Sequence, residues 1–214
     1  ARAVVRAALL ALLCGGAAGL TQRPRRTVQQ RLAGLGLGLG LGLGLLNPGA
    51  AVALEGTQRN GDVEVVVPGL FGFEESAKPL KTHQKEYGPF ASSTTKGFKY
   101  GVTVDPVKIG NIRQFGTPRE VLDKVAAVEL TKEGTLEVTS LSAAAIDKGG
   151  MPEGAGPFYE LEYIVDSTRG LNHFWTSVTI QKSNLYVLTV QAKEATVGDV
   201  KDAAMSLQKS FRVD

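Results

Sequence analysis

Two histidines, His83 and His173, one cysteine, Cys14, and 21 aspartates and glutamates are the side chains that could move protons, hold a metal or attack an electrophile. Neither histidine lies in an HExxH pair, and no GxSxG elbow is present, so the common hydrolase arrangements are missing. Glu160 and Glu162 stand two apart in "FYELEYIVDST", which puts both carboxylates on one side of a strand. A water-facing strand surface is the plainer reading of that pair. His173 opens "HFWTSVTIQ" and reads as an exposed or hydrogen-bonded histidine at a loop end; Trp175 reads as core, and His83, in "PLKTHQKEYG", as surface. The expectation is a protein that is not an enzyme.

The other chemistry-bearing pattern is "RLAGLGLGLGLGLGLLNPGAAVA", residues 31–53. A phosphate cradle needs its glycines between a strand and a helix, with Lys-Ser/Thr or a later acidic partner, and none of that context is here. The apolar run from Leu32 to Leu46 would reach about 22 Å as a helix, short of a hydrocarbon core of about 30 Å. Each of its alternating glycines, Gly34 to Gly44, would cost a helix about 1 kcal/mol relative to alanine. An export signal fits every part: Arg25-Arg26 in front, a moderately apolar core, the Pro48-Gly49 break, and the small-residue cleavage site Ala51-Val52-Ala53. Arg25-Arg26-Thr27-Val28 resembles a twin-arginine signal. Upstream, "ARAVVRAALLALLCGGAAGL" is basic and free of acids, which suits a first plastid or secretory address. Two addresses in series imply two membranes crossed, with the thylakoid lumen of a chloroplast as the expected destination. The competing expectation is an uncleaved Leu-Gly anchor.

The expected organisation is a presequence at 1–53, a short N-terminal arm at 54–61 and a single domain at 62–214. The whole chain carries a formal charge of +3, but six arginines and no acids lie in the presequence. Without it 18 basic residues face 21 acidic ones, a net charge of about −3. That balance removes the basic surface nucleic-acid binding requires. Cys14 leaves with the presequence, so disulfides, thiolate metal sites and a thiol nucleophile leave too.

What must position the remaining side chains is mostly strand. "DVEVVV" and "FKYGVTV" are β-branched runs stopped by Pro68-Gly69 and Asp105-Pro106. A weaker strand signal covers residues 81–87. "FGTPREVLDKVAAVEL" starts a helix, with Thr117 and Glu120 as a capping box and Pro118 at the first helical position. "TLEVTSLSAAAID" and the alternating "FYELEYIVDST" follow, the latter read as a strand with one wet face. "HFWTSVTIQ", a tight "KSN" turn and "LYVLTVQA" form a hairpin. Thr196 with Asp199 predicts a second cap, ahead of a helix with Val200, Ala203, Ala204, Leu207 and Phe211 on one face. The sum is an α+β fold, an antiparallel sheet of about six strands sandwiched by helices.

"IRQFGTPREVLDKV" resembles the Phe-Gly-Ser/Thr-Pro helix start of the PsbP family, extrinsic subunits on the lumenal face of photosystem II and their relatives. "YELEYIVDSTRGLNHFWTSVTIQKSNLYVLTVQAKEA" and the closing helix are similar to that family's last hairpin and helix. The resemblance covers residues 62–214 and implies a nonenzymatic α/β/α sandwich acting as a photosystem auxiliary. Implied partners are lumenal subunits of photosystem II or photosystem I, peripheral to the thylakoid membrane, with no nucleic acid and no required cofactor. The family's metal-linked positions match His173 and Glu194, where an aspartate is more usual, which implies at most a weak divalent site for calcium, manganese or zinc. Leu70 and Phe71 stand where many relatives carry tryptophan. Only about eight residues, Leu54 to Gly61, separate the expected cleavage site from the first expected strand, which favours a PsbP-like or PsbP-domain protein over the oxygen-evolving subunit with its longer arm.

Overall fold

The computed structural model describes residues 56–76, 83–149 and 156–214. The presequence, with Arg25, Arg26, Ala51, Val52 and Ala53, lies outside the described residues. Within the described residues no helix is long and apolar enough to cross a membrane.

Among the described residues, ten strands make two sheets. Gly56–Asn60 (β1), Val63–Val67 (β2) and Arg212–Val213 (β10) form the smaller one, in the order β1-β2-β10. The larger sheet has seven strands: Phe73–Glu75 (β3), Lys85–Ser92 (β4), Lys99–Pro106 (β5), Thr135–Ile146 (β6), Phe158–Ser167 (β7), Asn172–Gln181 (β8) and Asn184–Lys193 (β9). Its order is β3-β4-β5-β9-β8-β7-β6, every neighbour antiparallel. The residues expected as a short N-terminal arm supply β1, paired along its length with β2.

Two helices cover the larger sheet from opposite sides. Pro118–Glu129 (α1) starts as its sequence dictates: Thr117 Oγ1 accepts from Glu120 N–H at 3.3 Å and Glu120 Oε2 accepts from Thr117 N–H at 2.8 Å. Gly116 makes that entry fit, since at φ 126° a Cβ there would lie 2.5 Å from Glu120 Oε2. Val121, Leu122 and Val125 then bury against Tyr159, Leu161, Tyr163 and Val165 of β7 and Val178 and Ile180 of β8.

Val197–Ser210 (α2) packs on the other face. Val200, Ala204 and Leu207 join Phe158, Trp175, Leu188, Val190 and the inner valines of β2 in a second core. Burying a Leu or Val side chain of this kind contributes about 1.5–3 kcal/mol. The cap expected at α2 does not form: Thr196 makes no side-chain capping bond, and its hydroxyl donates instead to Lys193 O at 3.0 Å. A short 3-10 turn, Glu194–Thr196, leads straight into the helix and leaves the threonine at φ −111°, ψ 4°, outside the extended backbone of an N-cap.

The hairpin β8–β9 closes through Lys182 and Ser183, both at positive φ, the two-residue turn whose twist suits adjoining strands. β6 ends the sheet and is interrupted twice, between Thr135 and Glu137 and between Ser140 and Ser142, where Leu136 and Leu141 are extra residues with no partner on β7.

Candidate functional site

Strand parity brings His173 to a charged cluster. Along β8, His173, Trp175 and Ser177 point toward α2; across β7 the same face carries Glu160 and Glu162, with Glu162 opposite Trp175 in the register. Glu194 follows β9 and is fixed there by its own N–H donating to Leu171 O at 3.1 Å. The outcome is a histidine between two carboxylates: Nδ1 lies 2.9 Å from Glu194 Oε2, and Nε2 lies 2.9 Å from Glu162 Oε1. Ser142 Oγ donates to the other oxygen of Glu162 at 3.2 Å. Each ring nitrogen thus has a carboxylate of its own, and the ring is held from both sides. The ring stacks on Trp175 at 4.2 Å with 19° between planes, which fixes its plane.

The structure therefore places His173 and Glu194 together and adds Glu162, which the sequence reading had turned to water. Glu160 is corrected in the same way. Its carboxylate lies 3.0 Å from Lys148 Nζ, and both side chains are largely removed from solvent. Lys148, at the end of the β6 segment, donates to Gln208 O at 2.6 Å and Phe211 O at 3.4 Å, the last carbonyls of α2. Its ammonium also sits over the Phe158 ring at 4.6 Å. Burial pushes its pKa down to about 8, with Glu160 acting in the opposite direction. Gln208 completes the bracket, its side-chain amide donating to Leu161 O and Thr176 O of the sheet. Lys148 thus caps α2 from the segment that follows β6, 60 residues away in sequence.

Lys148 Nζ also lies 3.4 Å from Ser177 Oγ, a Ser–Lys pairing that in a cleft would have the parts of an activated nucleophile. Here Ser177 is fully buried, and the lysine's protons are held by backbone carbonyls and Glu160. The pair holds the helix to the sheet.

His83 is the second correction. Read as surface, its side chain is 1% exposed, with Nδ1 2.6 Å from Asp105 Oδ2. The other oxygen of Asp105 accepts from Gln84 N–H, and His83 N–H donates to Glu86 Oε1. Asp105 is the next-to-last residue of β5, 22 residues on, so nothing near His83 in the sequence announced the pairing.

Whether the cluster suits a divalent metal can be tested on its geometry. The two ring nitrogens of His173 point away from each other, and each faces its own glutamate, so an ion on either nitrogen would share it with one of the two carboxylates. Among the described residues no three or more His, Cys, Asp or Glu side chains converge on one point. The cluster as it stands is a closed ion network.

Comparison with known proteins agrees with this architecture. The PsbP family profile matches residues 76–213, well over half of the chain. The chain belongs to the PsbP family. Over 91 residues it is 36% identical to PsbP domain-containing protein 2, chloroplastic, of Arabidopsis thaliana, which is 42% of this chain and 37% of that protein. The chain thus matches little more than a third of that relative's length. The fold is similar to the solution structure of cyanobacterial PsbP (CyanoP) from Synechocystis sp. PCC 6803, with a TM-score of 0.56 and 18% identity, covering 80% of this chain and all of that one. The α+β sandwich expected for a PsbP member is the fold observed.

Proposed function

We propose that this protein is a nonenzymatic photosystem auxiliary of the thylakoid lumen, acting in assembly or stability by contact with photosystem subunits. The observation that carries this reading is the PsbP match over residues 76–213, from the end of β3 into β10. The chloroplast assignment of its Arabidopsis relative supports the compartment. The chemistry fits: the most reactive pairings in the fold, Lys148 with Ser177 and His173 with two glutamates, are spent on joining α2 and the β9 end to the sheet. In this reading residues 1–53 are an address, and the working protein starts near Leu54 and folds as one domain that includes β1.

The test is affinity purification of the tagged protein from thylakoids, with native gels of each photosystem assembly stage. Co-migration with photosystem II or photosystem I complexes is expected, and absence from both at every stage overturns the proposal. N-terminal sequencing of the purified chain checks the address: a start at Leu54 supports it, and an intact Leu-Gly tract replaces it with a tethered domain.

A second reading rests on the 2.9 Å contacts of His173. It gives the protein a weak divalent-ion site made by the ring and either Glu194 or Glu162. Metal analysis after chelator-free purification, with His173→Ala as control, decides it. Stoichiometric metal lost in the variant is the supporting result; equal, negligible metal in both ends this reading.

A further inference from the structure

The far side of the sheet holds the opposite of the His173 cluster. Lys99 opens β5 and is half-buried, yet among the described residues its ammonium has no hydrogen-bond or ion-pair partner. In the register it lies opposite Gln191 of β9, and Lys193 follows two residues on, on the same face. Gly97 keeps the β4–β5 loop against that lysine: at φ 86° a Cβ there would sit 2.9 Å from Lys193 Cγ. Lys193 Nζ spends one proton on Arg169 O at 3.1 Å. Lys132, in the turn after α1, completes the group; it is paired to the buried Glu129 at 2.9 Å and is close enough for its charge to act on Lys99. Gln191, whose Nε2 donates to Asn172 Oδ1 at 3.1 Å, provides with it a polar floor.

Lys132 is offset by Glu129, whereas neither Lys99 nor Lys193 has a carboxylate partner among the described residues, which leaves two positive charges uncompensated. An unpaired charge withdrawn from water costs free energy that natural folds avoid unless something binds it. Burial, and then the like charges of Lys193 and Lys132, push Lys99 below the ordinary lysine range. Burial in turn holds Glu129 above the ordinary carboxylate range, which weakens it as a counterion. We propose that Lys99, Lys132 and Lys193 form a binding site for a small divalent oxyanion of the phosphate class. The charge matches the uncompensated pair, and ammonium groups bind tetrahedral oxyanions through charge-assisted hydrogen bonds from several directions.

The experiment is thermal unfolding of the full chain at fixed ionic strength, with chloride replaced stepwise by low-millimolar inorganic phosphate or glycerol phosphate. Wild type is expected to rise saturably in midpoint with at least one of them, as for a ligand that binds the folded state alone. Which of the two saturates at lower concentration tells free phosphate from a phosphomonoester. Lys99→Met keeps the aliphatic stem and removes the charge, so it is expected to fold and to weaken the apparent affinity at least tenfold. Lys193→Met is the second variant, with a smaller loss. General salting effects of phosphate act equally on all three proteins and cancel in the comparison. No saturable rise in wild type, or an equal rise in both variants, overturns the proposal. So does saturation by a glutamate-rich peptide with no response to phosphate, since the site would then belong to a protein partner.

Discussion

Lys148 and Lys99 are two withdrawn cations on opposite faces of one sheet, and the fold treats them differently. Lys148 has Glu160, two helix-end carbonyls and an aromatic ring around it. Lys99 has none of these among the described residues, and the charges that act on it are those of Lys193 and Lys132. The first arrangement is what structural burial of a charge demands. The second makes sense as a place kept for something from outside.

The largest effect should come from breaking the paired cation. Lys148→Met leaves Glu160 and the end of α2 without a partner and should cost about 3 kcal/mol in denaturant unfolding. The double variant Lys148→Met/Glu160→Gln should recover most of that, because the uncompensated carboxylate goes as well.

A pH series on the same pair should give the next effect. Lys148 binds its proton more weakly folded than unfolded, so the unfolded chain holds more protons between about pH 8 and the ordinary lysine value. Wild-type stability relative to the double variant should therefore rise through that window, by about 2–3 kcal/mol if the shift is as large as burial suggests. Tyr100, Tyr163 and Tyr186 are held protonated by burial and act in the opposite direction at still higher pH, in both proteins alike. A flat difference would mean that Lys148 is solvated and the contrast with Lys99 is false.

Lys99→Met should do the reverse of Lys148→Met. In phosphate-free buffer it should leave the fold unchanged or raise its stability by about 0.5–1 kcal/mol, the range seen when a surface charge is optimised. A clear loss would show that Lys99 is a structural lysine.

The smallest effect distinguishes the two helix starts. Thr117→Ala should cost about 1 kcal/mol, since a working capping box is lost. Thr196→Ala should stay within about 0.5 kcal/mol, since its hydroxyl caps nothing.

That last pair also shows what the sequence could reveal. Thr117, Pro118 and Glu120 act within one turn of one another, so the start of α1 was legible, as were the β8–β9 hairpin and the apolar stripe of α2. Thr196 and Asp199 have the same spacing, but the preceding 3-10 turn changes the backbone angle on which a cap depends. The charged cluster was only half legible. Alternation in β7 gives one face to Glu160 and Glu162 whether that face meets water or a partner, and the partners, Lys148 after β6 and His173 on β8, come from elsewhere in the chain. His83 was missed for the same reason, because Asp105 is 22 residues away. Long-range pairing leaves no periodic trace.

The two interruptions in β6 carry one more consequence. They cut the outermost strand into regular pieces, Glu137–Ser140 and Ser142–Ile146, of four and five residues. An incoming chain seeking to extend the ladder would lose its hydrogen-bond phase at each kink, where Leu136 or Leu141 protrudes. The protein's open flank is thus defended against runaway stacking in a crowded compartment without a single proline or lysine on that strand.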